Sequence, residues 1–314
     1  MSKSRLPSLG PHLIVAMVTP FTTEGDVDRA SLRRLVAHLR AGGVNEFFVV
    51  GSTGESPLLD EPARRTIVET VREAAPEGVV YAGISGTGHR HAAHLAREAA
   101  RGGADAVVVM SPYFIALDQA QLVDFSTAIA EASPVPLVLY HHLRMPTPFE
   151  VRTVARLAVH PNIVALKDTN GGDHNRCAEI LAATAGRAFQ FFQGVEKLVL
   201  PTLAAGGHGC VVAQASLAPR LFRGLFDAWR AGAADRAAEH QKQIDALWGI
   251  FSSREVKQSF AHFLHTLKLP LHERGVIATT AGALPRVEFE PEFEQMITAF
   301  MREHLEPGLA LITS

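Results

Sequence analysis

Residues 106–140 have the sequence AVVVMSPYFIALDQAQLVDFSTAIAEASPVPLVLY, which contains the repeating unit on which the fold depends. Two short apolar runs, Ala106–Met110 and Pro136–Tyr140, enclose a longer segment of helical periodicity, Leu117–Ala132. The apolar runs are continuous rather than alternating, which is typical of parallel strands that are covered on both faces. This stretch therefore predicts a strand, a helix and a second strand parallel to the first.

The same unit recurs along the first 230 residues. Short apolar runs are each followed by a segment with helical periodicity or a clear helix start. The runs lie at residues 13–21, 46–50, 79–84, 106–110, 136–140, 163–166, 189–192 and 209–213. Eight units in about 200–250 residues predict an α/β fold of the (β/α)8 TIM barrel type. A doubly wound open sheet is the alternative, but it usually has fewer strands and a glycine-rich first turn.

The last part of the chain has a different pattern. Helical periodicity runs through residues 237–251, 256–267 and 290–304, and few strand signals interrupt it. No serine- or glycine-rich linker precedes this part. We therefore expect a barrel over residues 1–230, followed by a C-terminal helical appendage over residues 231–314.

The overall composition excludes several classes of protein. The chain has 314 residues, of which 47% are apolar and 20% are charged, as in globular proteins with a substantial core. Its formal net charge of −2 offers no basic field for nucleic acid or an anionic membrane. No apolar run approaches the length of about 18 residues that a membrane-spanning helix needs. The two cysteines, Cys177 and Cys210, make no disulfide framework, so we expect a cytoplasmic protein.

Lysine is scarce in this sequence, because only six of its 30 basic residues are lysines. Lys167 directly follows the apolar run at 163–166, and TIM barrels carry their active sites at the C-terminal ends of the strands. Burial lowers the pKa of a lysine and can release the neutral amine that Schiff-base formation requires. Lys167 is therefore a candidate nucleophile. The alternatives are a lysine at the barrel rim whose amine reaches solvent and a lysine that pairs with Asp168.

Two further strand ends carry groups that suit this chemistry. Tyr140 ends the strand before that of Lys167, so the two side chains can lie close together in a parallel barrel. The turn at 51–55 (GSTGE) offers the hydroxyls of Ser52 and Thr53 and several backbone N–H groups, which suit a carboxylate or a phosphate. The alternatives are an amphipathic core tyrosine and an ordinary tight strand-to-helix turn.

The fifteen histidines raise the question of a metal site, but their spacing does not support one. His89, His91 and His94 do not share one helix face, and the adjacent His141 and His142 point to opposite sides of a strand. The sequence has no His-Glu-x-x-His motif and no paired cysteines. We therefore expect no bound metal.

The ordered set of GSTGE at 51–55, Tyr140 and LKDT at 166–169 resembles the dihydrodipicolinate synthase/N-acetylneuraminate lyase family of Schiff-base-forming class I aldolases. The resemblance covers about residues 10–300. It extends to VTPF at 18–21, SPY at 111–113, GVE at 194–196, LAAGGHGCVV at 203–212 and VK at 256–257.

The resemblance implies a role for each matching residue. Lys167 would attack the C2 carbonyl of pyruvate or of a longer 2-oxo acid, and Tyr140 would relay protons. The carboxylate of the substrate would lie on the turn that contains Ser52 and Thr53. The rest of the pocket would be lined by Thr169, Gly194 and Val211. The resemblance also implies that no external cofactor is needed and that the chain forms homo-oligomers, either dimers or tetramers.

Three positions depart from the pattern of the synthases in this family. Met145 stands where those enzymes usually have an arginine for the carboxylate of the acceptor, although Arg144 is one residue away. Phe114 stands where a second tyrosine relays protons across a subunit contact, and it has no hydroxyl for that role. His141 replaces a common asparagine. We therefore predict that the acceptor end of the pocket carries His141, His142 and Arg144, which suit a hydroxylated or acidic tail.

These departures favour a lyase that acts on a 2-keto-3-deoxy sugar acid, either as an aldolase that releases pyruvate or as a dehydratase. A 4-hydroxy-tetrahydrodipicolinate synthase with a displaced arginine, which condenses pyruvate with aspartate semialdehyde, is the alternative within this family. From another class of protein, a non-catalytic barrel that binds sugar acids is possible. A metal-dependent aldolase is a third alternative.

Overall fold

The structure is a computed structural model that describes residues 10–86, 88–170, 173–283 and 287–305. Residues 1–9 and 306–314, which belong to the predicted barrel and appendage, lie outside the described residues. Eight strands form one closed barrel in chain order. They are β1 (His12–Ala16), β2 (Glu46–Val49), β3 (Val79–Gly83), β4 (Ala106–Met110), β5 (Leu137–His142), β6 (Ile163–Thr169), β7 (Gln190–Gln193) and β8 (Gly209–Val212).

Every strand pairs in parallel with its neighbours, and β8 pairs with β1 to close the barrel. The predicted (β/α)8 TIM barrel is therefore confirmed. The register of β5 and β6 places Tyr140 directly opposite Lys167. The two residues that the sequence analysis placed at neighbouring strand ends are thus cross-strand neighbours.

A helix follows each strand and covers the outside of the barrel. The helices are α1 (Arg29–Ala41), α2 (Glu61–Ala74), α3 (His89–Arg101), α4 (Gln119–Ala132), α5 (Val151–Leu157), α6 (His174–Ala183), α7 (Val199–Ala204) and α8 (Pro219–Arg230). Asp28 and Asp60 cap the starts of α1 and α2, because each carboxylate accepts a hydrogen bond from the backbone N–H three residues later. Helix α3 ends at a pair of glycines, with Gly102 as its C-cap.

Three more helices follow residue 230: α9 (Ala234–Phe251), α10 (Phe260–Glu273) and α11 (Pro291–Leu305). Helix α9 packs against α8 and α7, and α11 packs against both α9 and α10. This arrangement brings the end of α9 and the start of α10 over the C-terminal end of the barrel. Within the part of the chain that the structure describes, no helix is both long enough and apolar enough to cross a bilayer.

Helix α5 begins at Val151, and the Pro148 carbonyl before it accepts a hydrogen bond from the Gln119 side chain. One helix boundary differs from the prediction. The segment predicted as a helix from residue 256 starts as a short 3₁₀ turn, Val256–Gln258. Helix α10 begins after that turn, where the hydroxyl of Ser259 caps its first turn.

The interior of the barrel is a packed apolar core below the strand ends. Inward side chains from five strands, those of Ile14, Phe48, Val108, Val138 and Phe192, form one layer of it. Such layers fill the interior of TIM barrels and leave the C-terminal face for chemistry. The side chain of Lys167 lies against this layer.

Candidate active site

Lys167 is buried at the C-terminal end of β6, with 4% of its surface exposed. Its Nζ atom lies 3.9 Å from the centre of the Tyr140 ring and 5.0 Å from that of the Phe48 ring. Among the described residues, no carboxylate forms a hydrogen bond or an ion pair with this amine. An amine in aromatic surroundings and without a fixed partner is available to a substrate carbonyl.

The alternative that Lys167 pairs with Asp168 is wrong. Successive side chains of a strand point to opposite faces, so Asp168 points away from the barrel interior. Its carboxylate lies 3.3 Å from Nε of Arg176 and is almost fully buried. Burial raises the pKa of Asp168 to about 6, although the positive charge of Arg176 opposes this shift.

Tyr140 connects Lys167 to the predicted substrate turn. Its hydroxyl lies 3.2 Å from Oγ of Ser52, and either oxygen can donate in this hydrogen bond. The ring of Tyr140 is held edge-on by Phe48 and His142. Ser52, Tyr140 and Lys167 therefore form a short path along which a proton can move next to the amine.

The turn that carries Ser52 and Thr53 is conformationally unusual. Val50 and Glu55, which flank it, both have positive φ angles, of 55° and 62°. Side chains other than glycine rarely adopt this left-handed region, and each such residue costs about 1–3 kcal/mol. The hydroxyl of Thr19 donates to the Gly54 carbonyl at 2.8 Å and holds the turn on the end of β1. Strain of this kind persists where the surrounding structure enforces a functional geometry.

These groups face one cavity of about 280 Å³ at the C-terminal end of the barrel. It brings together nine of the predicted site residues: Ser52, Thr53, Tyr140, His142, Arg144, Lys167, Thr169, Gly194 and Val211. The hydroxyl of Thr169 is buried and has no hydrogen-bond partner among the described residues, so it is available to a substrate. Only glycine fits at position 194, because a Cβ atom there would lie 2.1 Å from that hydroxyl oxygen.

His141 lies outside this cavity, contrary to the expectation that it faces the acceptor. The alternation of side chains along β5 directs it to the outer side of the barrel, where its Nε2 lies 3.8 Å from Oδ1 of Asp168. Burial lowers the pKa of His141 to about 4, and the charge of Arg176 contributes to the shift. His141 therefore belongs to a buried cluster behind the site.

His142 points into the cavity beside Tyr140. Burial lowers its pKa to about 4, with contributions from the charges of Lys167 and Arg144. Its Nδ1 accepts a hydrogen bond from the backbone N–H of Arg144 at 3.0 Å. The ring is thus neutral at pH 7 and adds no charge to the acceptor end.

The structure adds cavity residues that the sequence analysis did not identify. Glu196 is buried, and its carboxylate accepts hydrogen bonds from the backbone N–H groups of Ala213 and Gln214. Burial raises the pKa of Glu196, while these hydrogen bonds and Lys167 oppose the shift. The C-terminal helices contribute Trp248, Phe251, Phe260, Phe263 and Lys257. The signals for Glu196 and Lys257 are their places in the GVE and VK motifs, and nothing local to the sequence indicates the four aromatic residues.

The described residues contain no group of three or more histidine, cysteine, aspartate or glutamate side chains that could hold a metal ion.

The chain matches known proteins over nearly its whole length. A sequence model of the dihydrodipicolinate synthetase family matches residues 11–303. The 4-hydroxy-tetrahydrodipicolinate synthase of Acidiphilium cryptum is 39% identical over 233 residues, which are 74% of this chain and 79% of that protein. The protein of the same name from Natronomonas pharaonis is 32% identical, over 90% of this chain and 93% of its own.

A solved structure leads to the same family. The chloride-inhibited dihydrodipicolinate synthase from Acinetobacter baumannii, complexed with pyruvate, superimposes with a TM-score of 0.85 at 27% identity. The superposition covers 95% of this chain and 99% of that one. The chain therefore belongs to the dihydrodipicolinate synthetase family of Schiff-base-forming lyases.

Proposed function

We propose that this chain condenses pyruvate with aspartate semialdehyde through a Schiff base on Lys167. The observation that carries the proposal is the placement of the Lys167 amine beside Tyr140 and Ser52 in one cavity. The relatives named 4-hydroxy-tetrahydrodipicolinate synthase support the condensation, and the pyruvate complex of the related synthase supports pyruvate as the donor. These relatives favour the synthase over the 2-keto-3-deoxy sugar acid lyase that the sequence analysis preferred.

The cavity supplies the groups for each step of this reaction. Nζ of Lys167 attacks C2 of pyruvate, and loss of water leaves a protonated imine. The turn at Ser52 and Thr53 holds the pyruvate carboxylate by hydroxyl and backbone N–H groups. The imine withdraws electrons from C3, a C3 proton leaves, and an enamine forms. The path through Tyr140 and Ser52 takes up and returns the protons.

The enamine then forms the new carbon–carbon bond. Its C3 attacks the aldehyde carbon of the acceptor, and the aldehyde oxygen takes up a proton. The amine of the condensed product attacks the imine carbon and displaces the amine of Lys167. Atoms and charge therefore balance without an external oxidant or reductant.

Arg144 is the residue we assign to the carboxylate of the acceptor. Its guanidinium lines the cavity and lies 5.4 Å from the centre of the Phe260 ring. Met145, at the usual arginine position, turns away from the cavity, with its sulfur 3.1 Å from the backbone nitrogen of His142. The acceptor end is therefore cationic despite the methionine at position 145, because Arg144 and Lys257 both line it.

The test is a condensation assay on wild-type protein and on Arg144→Met. We expect turnover of pyruvate with aspartate semialdehyde. The variant should raise KM for the semialdehyde about 10- to 100-fold, since a charge-assisted hydrogen bond contributes about 1.5–3 kcal/mol. Pyruvate binding should be unchanged. Arg152→Met, which removes an exposed arginine paired with Glu150, is the matched control.

Two outcomes would contradict this assignment. Release of pyruvate from 2-keto-3-deoxy sugar acids, without any condensation, would restore the sugar-acid hypothesis. An unchanged KM for the semialdehyde in Arg144→Met would remove Arg144 from the acceptor site.

An exposed apolar surface supports association of two copies of the chain. The loop after β4 exposes Tyr113, Phe114 and Ile115, with Phe114 82% exposed, and the loop after β5 exposes Leu143. Adjacent strand ends thus present large apolar side chains to solvent, which is typical of interaction sites. We propose that a second copy of this chain covers them in a homo-oligomer, a dimer or a dimer of dimers.

We expect sedimentation to show a dimer or tetramer for the wild type and a smaller species for Phe114→Glu, because the change buries a charge in the contact. Val159→Glu, at another exposed apolar side chain, should leave the mass unchanged. A monomeric wild type would refute the proposal.

The cysteine side chains support the expected cytoplasmic location. Cys177 and Cys210 are both buried free thiols. Unpaired thiols are typical of proteins that work in a reducing compartment. We therefore propose the cytoplasm as the place of the reaction.

A further inference from the structure

The structure contains a second buried lysine, Lys268 on α10, which is 1% exposed. Its Nζ donates to Oε1 of Glu55 at 2.6 Å and to the carbonyl of Ala281 at 2.7 Å. It also lies 4.9 Å from the centre of the Phe21 ring. The other lysines within the described residues, Lys167 apart, are exposed. Lys268 is therefore a buried cation that joins the C-terminal region to the barrel.

The partner of this lysine is the last residue of the substrate turn. Glu55 is completely buried, and its second carboxylate oxygen accepts a hydrogen bond from the backbone N–H of Ala283 at 2.7 Å. Both carboxylate oxygens are thus bound by the C-terminal region. No contact of Glu55 with the substrate cavity is present, since its side chain points to the opposite side of the turn.

The backbone of Glu55 transmits this attachment to the groups that face pyruvate. Its N–H donates to the carbonyl of Ser52 at 2.9 Å, which closes the turn around Thr53 and Gly54. Its φ of 62° lies in the left-handed region, which a residue with a side chain adopts only when its surroundings enforce it. The buried ion pair holds the side chain of this residue from the C-terminal side.

We infer that Lys268 and Glu55 are positioning residues, which hold the turn at Ser52 and Thr53 in the geometry that binds the carboxylate of pyruvate. This inference rests on the proposed function. It assigns part of the pyruvate site to helix α10, more than 200 residues away along the chain. Neither side chain lines the cavity that contains Lys167, so the pair acts through the turn alone.

The experiment measures how borohydride trapping of pyruvate on Lys167 depends on the pyruvate concentration. In Lys268→Met, the turn loses its attachment and Glu55 is left as an unpaired buried charge. We expect the half-saturating pyruvate concentration to rise about 10- to 100-fold, because small displacements of positioning groups have effects of this size. KM for the acceptor should change by less than about twofold.

The double variant Glu55→Gln/Lys268→Met separates positioning from stability. It removes both charges, so its melting temperature should recover toward the wild-type value. The half-saturating pyruvate concentration should remain raised, because the ion pair that holds the turn is still absent. Glu294→Gln is the matched control, since it removes the charge from the 2.8 Å contact between Glu294 on α11 and His265 on α10. This control should trap pyruvate like the wild type.

Several outcomes would overturn the inference. Folded Lys268→Met with wild-type pyruvate dependence excludes a positioning role, and so does a double variant that recovers pyruvate binding together with stability. If neither variant folds, the pair serves the fold rather than the turn. Failure of the wild type to trap pyruvate would instead refute the proposed function, so the two failures are distinguishable.

Discussion

Lys167→Met is expected to abolish both turnover and covalent trapping of pyruvate. The amine is the atom that bonds to C2, so its removal eliminates the imine and the electron sink that depends on it. We expect the rate to fall by about 10⁴-fold or more, as for other covalent nucleophiles. Methionine keeps much of the side-chain volume against the layer of Phe48 and Phe192, so the barrel should fold. The measurement is borohydride reduction with pyruvate, followed by peptide mass mapping.

The control for this variant is Lys242→Met, which removes an exposed lysine of α9 and should trap pyruvate normally. Lys257 provides a sharper comparison, because it also lines the cavity. A reduced adduct on the peptide of Lys257, or an adduct that persists in Lys167→Met, would contradict the assignment of the nucleophile.

Tyr140→Phe should have the second largest effect. The change keeps the ring that packs against Lys167 and removes the hydroxyl bonded to Ser52. Loss of a positioned acid–base group lowers rates by about 10²- to 10⁴-fold, so kcat should fall within this range. Because the amine and the carboxylate turn remain, the pyruvate adduct should still form on Lys167, more slowly. Rapid-quench trapping measures that rate, and steady-state assays measure kcat.

Tyr81→Phe is the matched control, since Tyr81 is also a buried tyrosine inside the barrel. Its hydroxyl donates to Glu46 at 3.3 Å, at the opposite end of the barrel from the cavity. We expect Tyr81→Phe to change stability by about 1 kcal/mol and to leave kcat nearly unchanged. A Tyr140→Phe enzyme with wild-type kcat would show that the protons move by another path.

The fold was largely predictable from the sequence, because its signals are local. The continuous apolar runs and the caps at Asp28 and Asp60 report burial and helix starts within a few residues. Eight repeats then leave few architectures open. His141 is the one predicted site residue that lies outside the cavity, and its orientation also follows from a local rule. It is adjacent in the strand to the inward-facing Tyr140, so alternation directs it outward.

The scarcity of lysine was not enough to distinguish the two buried lysines. It singled out Lys167 because that residue ends a buried strand, but Lys268 is buried as well. The difference between them lies in their partners. Lys268 is bound to the Glu55 carboxylate, whereas Lys167 faces aromatic rings and an open cavity. Burial alone therefore did not distinguish the nucleophile from the positioning group.

The sequence by itself determined the eight-stranded barrel, the pairing of Tyr140 with Lys167 and the turn at Ser52 and Thr53. These features depend on strand periodicity and on the common edge at which parallel strands end. Only the tertiary structure decided that α9 and α10 cover the cavity and that Lys268 reaches Glu55. The physical reason is that such contacts join residues about 200 positions apart through the packing of whole helices, and no local spacing in the chain records how those helices pack.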